Sequence, residues 1–335
     1  MTETIFRILP FTVAVLPALI VLCYFAVATR RSLADDTMWG AAGFGASSVF
    51  PCAVIGTLLS MVVDVNPGLY SQSAKLAFIE AAIPEEIFKL LALLCICWSR
   101  LADMSARQIF VYSIACACGF AALENLFYVF GNVSQEHTLN PQWAAIAMAR
   151  SVSAVPGHAF VGAVMGYCVY RAVQTSSHAS GKGWLWWASA LLSPILLHGT
   201  YDFFLFAIEL LNKDTLSQVN NGTSVMAVGF IMVVIAEGAI AHLLLRRVMF
   251  SEGQQAAETM PSDFVSRLSQ HFALWALIGC LTLGGATLFF LASAIDDIIN
   301  DQMLIIGFAT FALLHGLAFL SLAHILYGRR RMASV

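Results

Sequence analysis

Charged side chains are scarce in this chain, and their scarcity excludes most classes of soluble protein. Asp, Glu, Lys and Arg make up 11% of the 335 residues, whereas apolar residues make up 59%. Soluble domains contain about 25% charged residues. The polar links between the apolar runs are too short to form a soluble domain, so we interpret residues 1–335 as a single integral membrane domain.

Several functional signatures are also missing. No basic arm or stripe is present, which argues against a nucleic-acid partner. No CxxC motif is present, and the eight cysteines all fall within apolar runs, so we expect neither a disulfide framework nor a cysteine metal site. No HExxH motif is present, so a zinc site would lack its strongest local signature.

Most of the sequence consists of apolar runs that are long enough to cross a bilayer. An α-helix needs about 20 apolar residues to span the hydrocarbon layer, so we predict an all-α, polytopic membrane helix bundle with about nine transmembrane helices. The predicted spans are 5–28, 38–64, 75–98, 108–131, 142–173, 184–211, 224–249, 269–294 and 302–327.

Basic residues predict the orientation of the bundle. Of the 17 Lys and Arg residues, 12 lie at or beyond the ends of odd-numbered spans, three lie at the opposite side and two lie deep within spans. Cytoplasmic loops of membrane proteins carry the excess of Lys and Arg. We therefore predict that the N-terminus is outside and that the C-terminus is cytoplasmic.

Two adjacent carboxylates stand in the middle of the third predicted span. Glu85 and Glu86 lie well inside it, and Lys89 follows Glu85 in the favoured i to i+4 order. Ionisable residues inside a membrane are costly and mark functional sites. The next three spans carry polar residues between mid-membrane and the outer leaflet: Glu124 and Asn125, Arg150 and His158, and His198 and Asp202. This shared depth predicts a catalytic or transport centre.

Small residues and prolines flank these positions. His158, Gly162 and Gly166 share one helix stripe, which would let a neighbouring helix approach closely. Pro84 and Pro156 stand one or two residues before polar positions, and each removes a helix hydrogen bond. Such breaks are tolerated in a membrane where protein or trapped water covers them, so we expect a wet cavity at this level.

Structural interpretations stay open for several of these residues. The Glu85–Lys89 pair could be a structural ion pair, and Arg150 could pair with a carboxylate. Asn125 could serve only to form a hydrogen bond between two helices. The other polar residues of the spans stand mostly alone, and we interpret them as structural: Asp64, Glu237, His242, His315 and His324. Two histidines together with several carboxylates on four adjacent helices are harder to explain by packing alone.

Four segments resemble motifs of the PrsW family of intramembrane proteases, which is related to the type II CAAX-prenyl endopeptidases. Residues 84–89 read Pro-Glu-Glu-Ile-Phe-Lys and resemble the family's EExxK motif. Residues 119–128 resemble its FxxxEN…Y segment, residues 150–166 its R…PxHA…G…G segment, and residues 198–202 its HGxY(N/D) ending. The order and spacing of the four motifs agree with those of the family, so the combination is specific. The resemblance covers about residues 75–210 and does not extend to the last three predicted spans.

The resemblance implies proteolysis within a membrane. In that family the substrate is a single-pass membrane protein, such as an anti-sigma factor, that is cut near the outer face. We therefore expect a membrane-anchored protein partner and a location in the lipid bilayer of a bacterial cytoplasmic membrane. We also expect a catalytic four-helix core at 75–210, with flanking helices at 1–74 and 212–335.

Two chemistries fit these residues. In the first, a divalent metal ion, with zinc expected, is bound by four residues: Glu124, His158, His198 and Asp202. Catalysis then uses the other polar side chains of the core: Glu85, Glu86, Lys89, Asn125 and Arg150. In the second, no metal is bound, and one glutamate of the adjacent pair activates water together with a histidine.

A proton- or ion-coupled transporter is the alternative function. Buried chains of Glu, Lys and His residues relay protons in such proteins. The sequence shows no paired repeats of broken helices, which many transporters have, so the protease is the better interpretation.

Overall fold

The computed structural model describes residues 2–65, 68–131, 149–176, 183–214 and 221–251. All regular secondary structure in these ranges is helical, which confirms the all-α class. The predicted spans 269–294 and 302–327 and the predicted cytoplasmic C-terminus lie outside the described residues.

The described helices follow the predicted spans closely. The α-helices are α1 Thr2–Ala28, α2 Asp36–Ser47, α3 Val49–Val62, α4 Leu69–Ala74, α5 Ile83–Cys97, α6 Ala106–Gly131, α7 Val155–Ser176, α8 Gly183–Asp214 and α9 Asn221–Ser251. A π-helical segment, π1 (Lys75–Ala82), joins α4 to α5, and a second, π2 (Arg150–Ala154), precedes α7. A 3-10 segment, Trp98–Asp103, follows α5.

Within the described part of the chain, five segments are long and apolar enough to cross a membrane. They are Phe11–Ala28, Asp36–Val62, Ala106–Gly131, Gly183–Leu211 and Val225–Met249. The chain is accordingly a multi-pass integral membrane protein. The predicted span 75–98 is not among the five, because π1 interrupts it and charged residues occupy its centre. The count of nine spans and the orientation of the termini stay predictions.

Each π-helical segment ends just before a proline. In π1 the N–H of Ile83 bonds to the carbonyl oxygen five residues back, and Pro84 follows. In π2 the N–H of Val155 does the same, and Pro156 follows. Proline has no N–H and its ring crowds the preceding turn, so a wider turn fits ahead of it. In both helices, polar residues predicted to be functional follow within two positions of the proline.

The described residues form two compact units, each considered by itself. The first unit contains those within residues 1–34, 125–156 and 249–251. The second unit contains those within 35–124 and 157–248. The second unit includes most of the predicted site residues.

A stripe of small residues on α7 packs tightly against α6 in the second unit. A Cβ added to Gly162 would stand 2.8 Å from the Cβ of Ala117, and one added to Gly166 would stand 2.8 Å from the Cβ of Ser113. Real Cβ atoms do not approach so closely, so both positions require glycine. The close helix approach predicted from the stripe is confirmed.

The other side of α6 is approached by α2 through a reciprocal pair of glycines. A Cβ on Gly45 of α2 would collide with the carbonyl oxygen of Cys116, and a Cβ on Gly119 of α6 would collide with the carbonyl oxygen of Ala42. Because the obstacles are backbone atoms, side-chain rotation cannot relieve either collision. α6 is therefore held in a narrow space between α2 and α7.

This packing predicts opposite outcomes for two substitutions on α2. Gly45→Ala should lower the free energy of unfolding by about 1–3 kcal/mol, because overpacking forces backbone shifts. Gly43→Ala is the matched control, since a Cβ there has no atom of the described residues within 4 Å. It should be neutral or stabilise by up to about 1 kcal/mol through helix propensity. Unfolding in mixed detergent micelles measures both, and equal stability of the two variants would contradict the packing.

Candidate active site

The first turn of α5 carries two buried carboxylates. Glu85 and Glu86 follow Pro84, and the side chain of Glu86 is fully buried. Lys89 lies one turn further along the same helix and is only 2% exposed. An unpaired charge at such burial would cost several kcal/mol, so these three residues must satisfy one another or bind other groups.

The ammonium group of Lys89 is the centre of the cluster. Its Nζ lies 3.0 Å from Oε2 of Glu85, 2.8 Å from Oε1 of Glu86 and 2.9 Å from Nδ1 of His158. An ammonium has three N–H donors and no acceptor, so these three contacts use all of them. The ring of Phe120 adds a cation–π contact, with Nζ 4.2 Å from the ring centroid. Lys89 thereby joins α5 to α6 and α7.

The contacts of His158 define its tautomer. Lys89 can only donate, so Nδ1 of His158 accepts and carries the lone pair. The proton is then on Nε2, which donates to Oε2 of Glu124 at 3.0 Å. This assignment follows from the hydrogen-bond network rather than from observed hydrogens. Glu124 therefore fixes both the orientation and the tautomer of the imidazole.

His198 on α8 lies between carboxylates on both sides of its ring. Its Nδ1 is 2.8 Å from Oε1 of Glu86, and its Nε2 is 3.2 Å from Oδ2 of Asp202 and 3.8 Å from Oε2 of Glu85. Each nitrogen can donate to a carboxylate when both carry protons, which suits an imidazolium. The i to i+4 pairing predicted for His198 and Asp202 is confirmed.

One oxygen of this cluster lacks a partner. Oε2 of Glu86 is buried, and none of the described residues gives it a hydrogen bond. The other oxygen of the same carboxylate, Oε1, is held by Lys89 and His198. A buried polar atom without a partner is costly, so Oε2 is the atom at which a water, an ion or a substrate group is expected.

Four residues of the cluster could together bind a metal ion. Glu85, Glu86, His158 and His198 each offer a donor atom, and these atoms lie within 4.8 Å of one another. Carboxylate oxygen and imidazole nitrogen are ligands that zinc accepts, and the unpartnered oxygen of Glu86 adds a free donor, so the residues fit a divalent cation. In the arrangement described here, the ammonium of Lys89 contacts three of the four groups and supplies the positive charge.

The two carboxylates that the sequence suggested as ligands contact the histidines. Glu124 bonds to Nε2 of His158, and Asp202 bonds to Nε2 of His198. Carboxylates in this position commonly orient histidines that bind metals. The ligand role of Glu124 and Asp202 stays a prediction.

Asn125 and Arg150 form a separate pair in the first unit. Nε of Arg150 donates to Oδ1 of Asn125 at 2.8 Å, and Nδ2 of Asn125 donates to the carbonyl oxygen of Ala14 at 3.3 Å. The guanidinium stacks on Tyr128, with Cζ 3.8 Å from the ring centroid. This network joins α6, π2 and α1. The structure thus brings seven of the nine predicted site residues into the second unit and pairs the remaining two with each other.

Glu237 is a buried acid that we interpreted as structural from the sequence. It lies on α9 in the second unit, is 2% exposed, and is close enough to His198, Asp202 and Glu86 to interact with them electrostatically. Its position in the middle of a predicted span was the available signal, since ionisable residues at that depth mark functional sites. The nearest polar residue of the same span, His242, is five positions away and does not have the i to i+4 spacing that links the other site residues, so this signal was weak.

The motifs that carry the site are those of one protein family. Residues 35–236, more than half of the chain, match the family described as "PrsW family intramembrane metalloprotease". The chain belongs to the PrsW family. It is therefore a hydrolase of the intramembrane protease type. The match begins at the residue before α2 and ends within α9, so it extends further in both directions than the range of about 75–210 expected from the motifs.

Several relatives of this PrsW-family chain carry the name Protease PrsW. The protein from Halalkalibacterium halodurans is 28% identical over 200 residues, covering 58% of this chain and 82% of the relative. The protein from Clostridioides difficile is 29% identical, covering 45% and 64%, and that from Geobacillus kaustophilus is 30% identical, covering 50% and 65%. No solved structure is a significant match to the chain.

The position of Lys89 in the PrsW-family site predicts a competition with metal ions. Lys89→Met keeps the length of the side chain but removes the ammonium, so the carboxylates and His158 should bind a divalent cation more tightly, by roughly tenfold. Elemental analysis of detergent-purified protein equilibrated with zinc measures the bound metal.

The control for this experiment is Lys75→Met. Lys75 bonds to the carbonyl oxygen of Ser60 and pairs with Glu80 at 3.5 Å, so its removal leaves the Lys89 cluster unchanged. The Lys75 variant should bind as much zinc as the parent. If the Lys89 variant binds no more zinc than the parent and the Lys75 variant, the ammonium of Lys89 does not occupy the cation position.

Proposed function

We propose that the chain hydrolyses a peptide bond of a single-pass membrane protein, with Glu86 as the general base. The observation that carries this proposal is the buried, unpartnered Oε2 of Glu86 beside two histidines. A general base needs a free lone pair within reach of the water that it deprotonates. Membership of an intramembrane protease family favours this chemistry over the transporter alternative.

The contacts of Glu86 prepare one oxygen for proton transfer. Lys89 and His198 hold Oε1, so the carboxylate is fixed in orientation while Oε2 can accept a proton from water. The water oxygen then attacks the carbonyl carbon of the scissile bond. Lys89 also balances the negative charge of the glutamate pair, which keeps the second carboxylate, Glu85, close without unrelieved repulsion.

His198 is suited to complete the reaction. The carbon–nitrogen bond breaks when the leaving amine receives a proton, and His198 can supply it because Glu86 and Asp202 support protons on both ring nitrogens. The ring of His158, which Lys89 and Glu124 hold in place, lies edge-on to the ring of His198. The two ring centroids are 5.0 Å apart. A catalytic role of Asn125 and Arg150 is proposed on the sequence motifs alone.

The family description also implies a metal ion, and the donor set fits one. His158, His198 and Glu85 would hold it, with Glu124 and Asp202 orienting the histidines or joining the ligands. A divalent ion bound there, with zinc proposed, would lower the pKa of a water molecule to about 7. Binding requires Lys89 to leave its present contacts, because its ammonium occupies two of these ligands, Glu85 and His158.

Substitution of Glu86 tests the general base. Glu86→Gln keeps the volume of the side chain and removes the basic oxygen, so cleavage of a membrane-anchored reporter should fall by roughly 10²–10⁴-fold. The matched control is Glu80→Gln on π1, whose carboxylate is partly exposed and pairs with Lys75. The control should cleave at nearly the parental rate. Cleavage by the Glu86 variant at that rate, after chromatography shows both proteins folded, would remove Glu86 from this role.

The orientation predicted from the basic residues places the site toward the outer leaflet. A substrate helix must unwind before its carbonyl can be attacked, and unwinding is easiest near an interface where water satisfies the freed groups. We therefore propose that the substrate, for example an anti-sigma factor, is cut in its outer juxtamembrane region. The proposed setting is a bacterial cytoplasmic membrane.

Mass spectrometry of the cleavage products locates the cut. A single-pass reporter tagged at both ends should yield fragments whose new termini lie within about one helical turn of the outer interface. New termini on the cytoplasmic side would contradict either the orientation or the depth of the site. Cysteine labelling at the predicted external position 213 and the predicted cytoplasmic position 182 then identifies which of the two is wrong.

A further inference from the structure

Glu237 is an acid in the second unit for which the proposed mechanism has no use. It lies near the middle of α9 and one residue beyond the range that matches the family, 35–236. Its side chain is almost completely buried. A glutamate held inside a membrane helix needs either a bound partner or a function.

The carboxyl group of Glu237 lies beside a glycine of α7. A Cβ built on Gly157 would stand 3.7 Å from Oε2 of Glu237 and 3.9 Å from Cε2 of Tyr201. Apart from Gly157, its two chain neighbours and the adjacent backbone of the same helix, no other atom of the described residues comes within 4 Å of that point. Gly157 precedes His158 and Tyr201 precedes Asp202, so the carboxyl group is next to two segments that carry site residues.

Glu237 shares one property with the proposed general base. Among the described residues, the buried carboxylate oxygens that receive no hydrogen bond are Oε2 of Glu86 and Oε1 of Glu237. Glu237 is close enough to Glu86, His198 and Asp202 to interact with them electrostatically. Two unpartnered acceptors therefore belong to one electrostatic cluster, and only the first has a role in water activation.

A substrate that unwinds within the membrane supplies the donor that Glu237 lacks. Unwinding breaks i→i+4 hydrogen bonds and leaves backbone N–H groups that must find acceptors, because lipid offers none. We propose that Glu237 is a substrate-binding residue, whose Oε1 accepts a hydrogen bond from a backbone N–H freed beside the scissile bond. This inference rests on the proposed proteolytic function.

Binding measurements with an inactive protein test this role without cleavage. The probe is a fluorescent single-pass transmembrane peptide with a glycine-rich stretch at the outer end of its span, and the protein is the full chain carrying Glu86→Gln in lipid nanodiscs. Adding Glu237→Leu should weaken binding by about 10- to 100-fold, because a backbone N–H of the bound peptide is then left buried without an acceptor. Adding Glu237→Gln should weaken it less than about threefold, because the amide oxygen still accepts.

The outcomes separate this inference from the function on which it rests. If the added Glu237→Leu substitution leaves binding unchanged, the inference is overturned while the protease proposal stays intact. Equal weakening by the Gln and Leu substitutions would also overturn it, since a hydrogen-bond acceptor is then not what matters. Failure of the Glu86→Gln protein itself to bind the probe would contradict the proposed substrate class and this inference together.

The resistance of the Glu237→Leu variant to unfolding distinguishes a substrate-binding role from a structural one. Replacing an unpartnered buried carboxyl group by an apolar side chain of similar size is neutral or stabilising. Glu237→Leu should therefore unfold at the same or a higher detergent concentration than the parent while it loses binding. A clear loss of stability would show that Glu237 supports the fold, and it would overturn the substrate-binding role.

Discussion

The pairing of a buried lysine with two glutamates is the interaction on which the rest of this structure depends. Three charged groups stand within one turn and a half of α5, at a depth where an unpaired ion would cost several kcal/mol. The ammonium of Lys89 satisfies Glu85, Glu86 and His158 at once. Because its donors are then exhausted, the second oxygen of Glu86 is left unpartnered, and we propose this free oxygen as the general base.

The helix packing holds this arrangement in place. Glycines at the contacts of α6 with α2 and α7 let three backbones approach to distances that any side chain would forbid. The π-helical turns before Pro84 and Pro156 widen the backbone just ahead of the polar residues that follow each proline. The second unit thereby encloses a polar cluster among tightly packed helices, which is typical of functional sites in membranes.

Much of the site could be predicted from the sequence because helical spacing is reliable over one turn. The pairs Glu85–Lys89 and His198–Asp202 follow from i to i+4 geometry, and their contacts confirm it. The shared depth of the polar residues and the motif order indicated the family. These inferences need no knowledge of how distant helices pack.

Contacts between distant segments could not be predicted in the same way. The bond between Lys89 and His158 joins residues 69 positions apart, and it decides both the tautomer of the histidine and the competition with metal ions. Glu237 has no site residue beside it in the sequence, whereas packing places it close enough to His198 and Asp202 to interact with them electrostatically. A periodicity argument identifies which residues face inward but not which of them meet.

A double-mutant cycle on Lys89 and Glu85 tests the central interaction most directly. Unfolding free energies in mixed micelles are measured for the parent, Lys89→Met, Glu85→Gln and the double variant, with the partly exposed pair Lys75 and Glu80 as a reference cycle. The account predicts that Lys89→Met alone costs about 3–5 kcal/mol and that Glu85→Gln restores part of the loss, giving a coupling of about 1–3 kcal/mol. The reference pair should couple by less than about 1 kcal/mol. Additive effects at Lys89 and Glu85 would contradict the account, because the two charges would then not depend on each other.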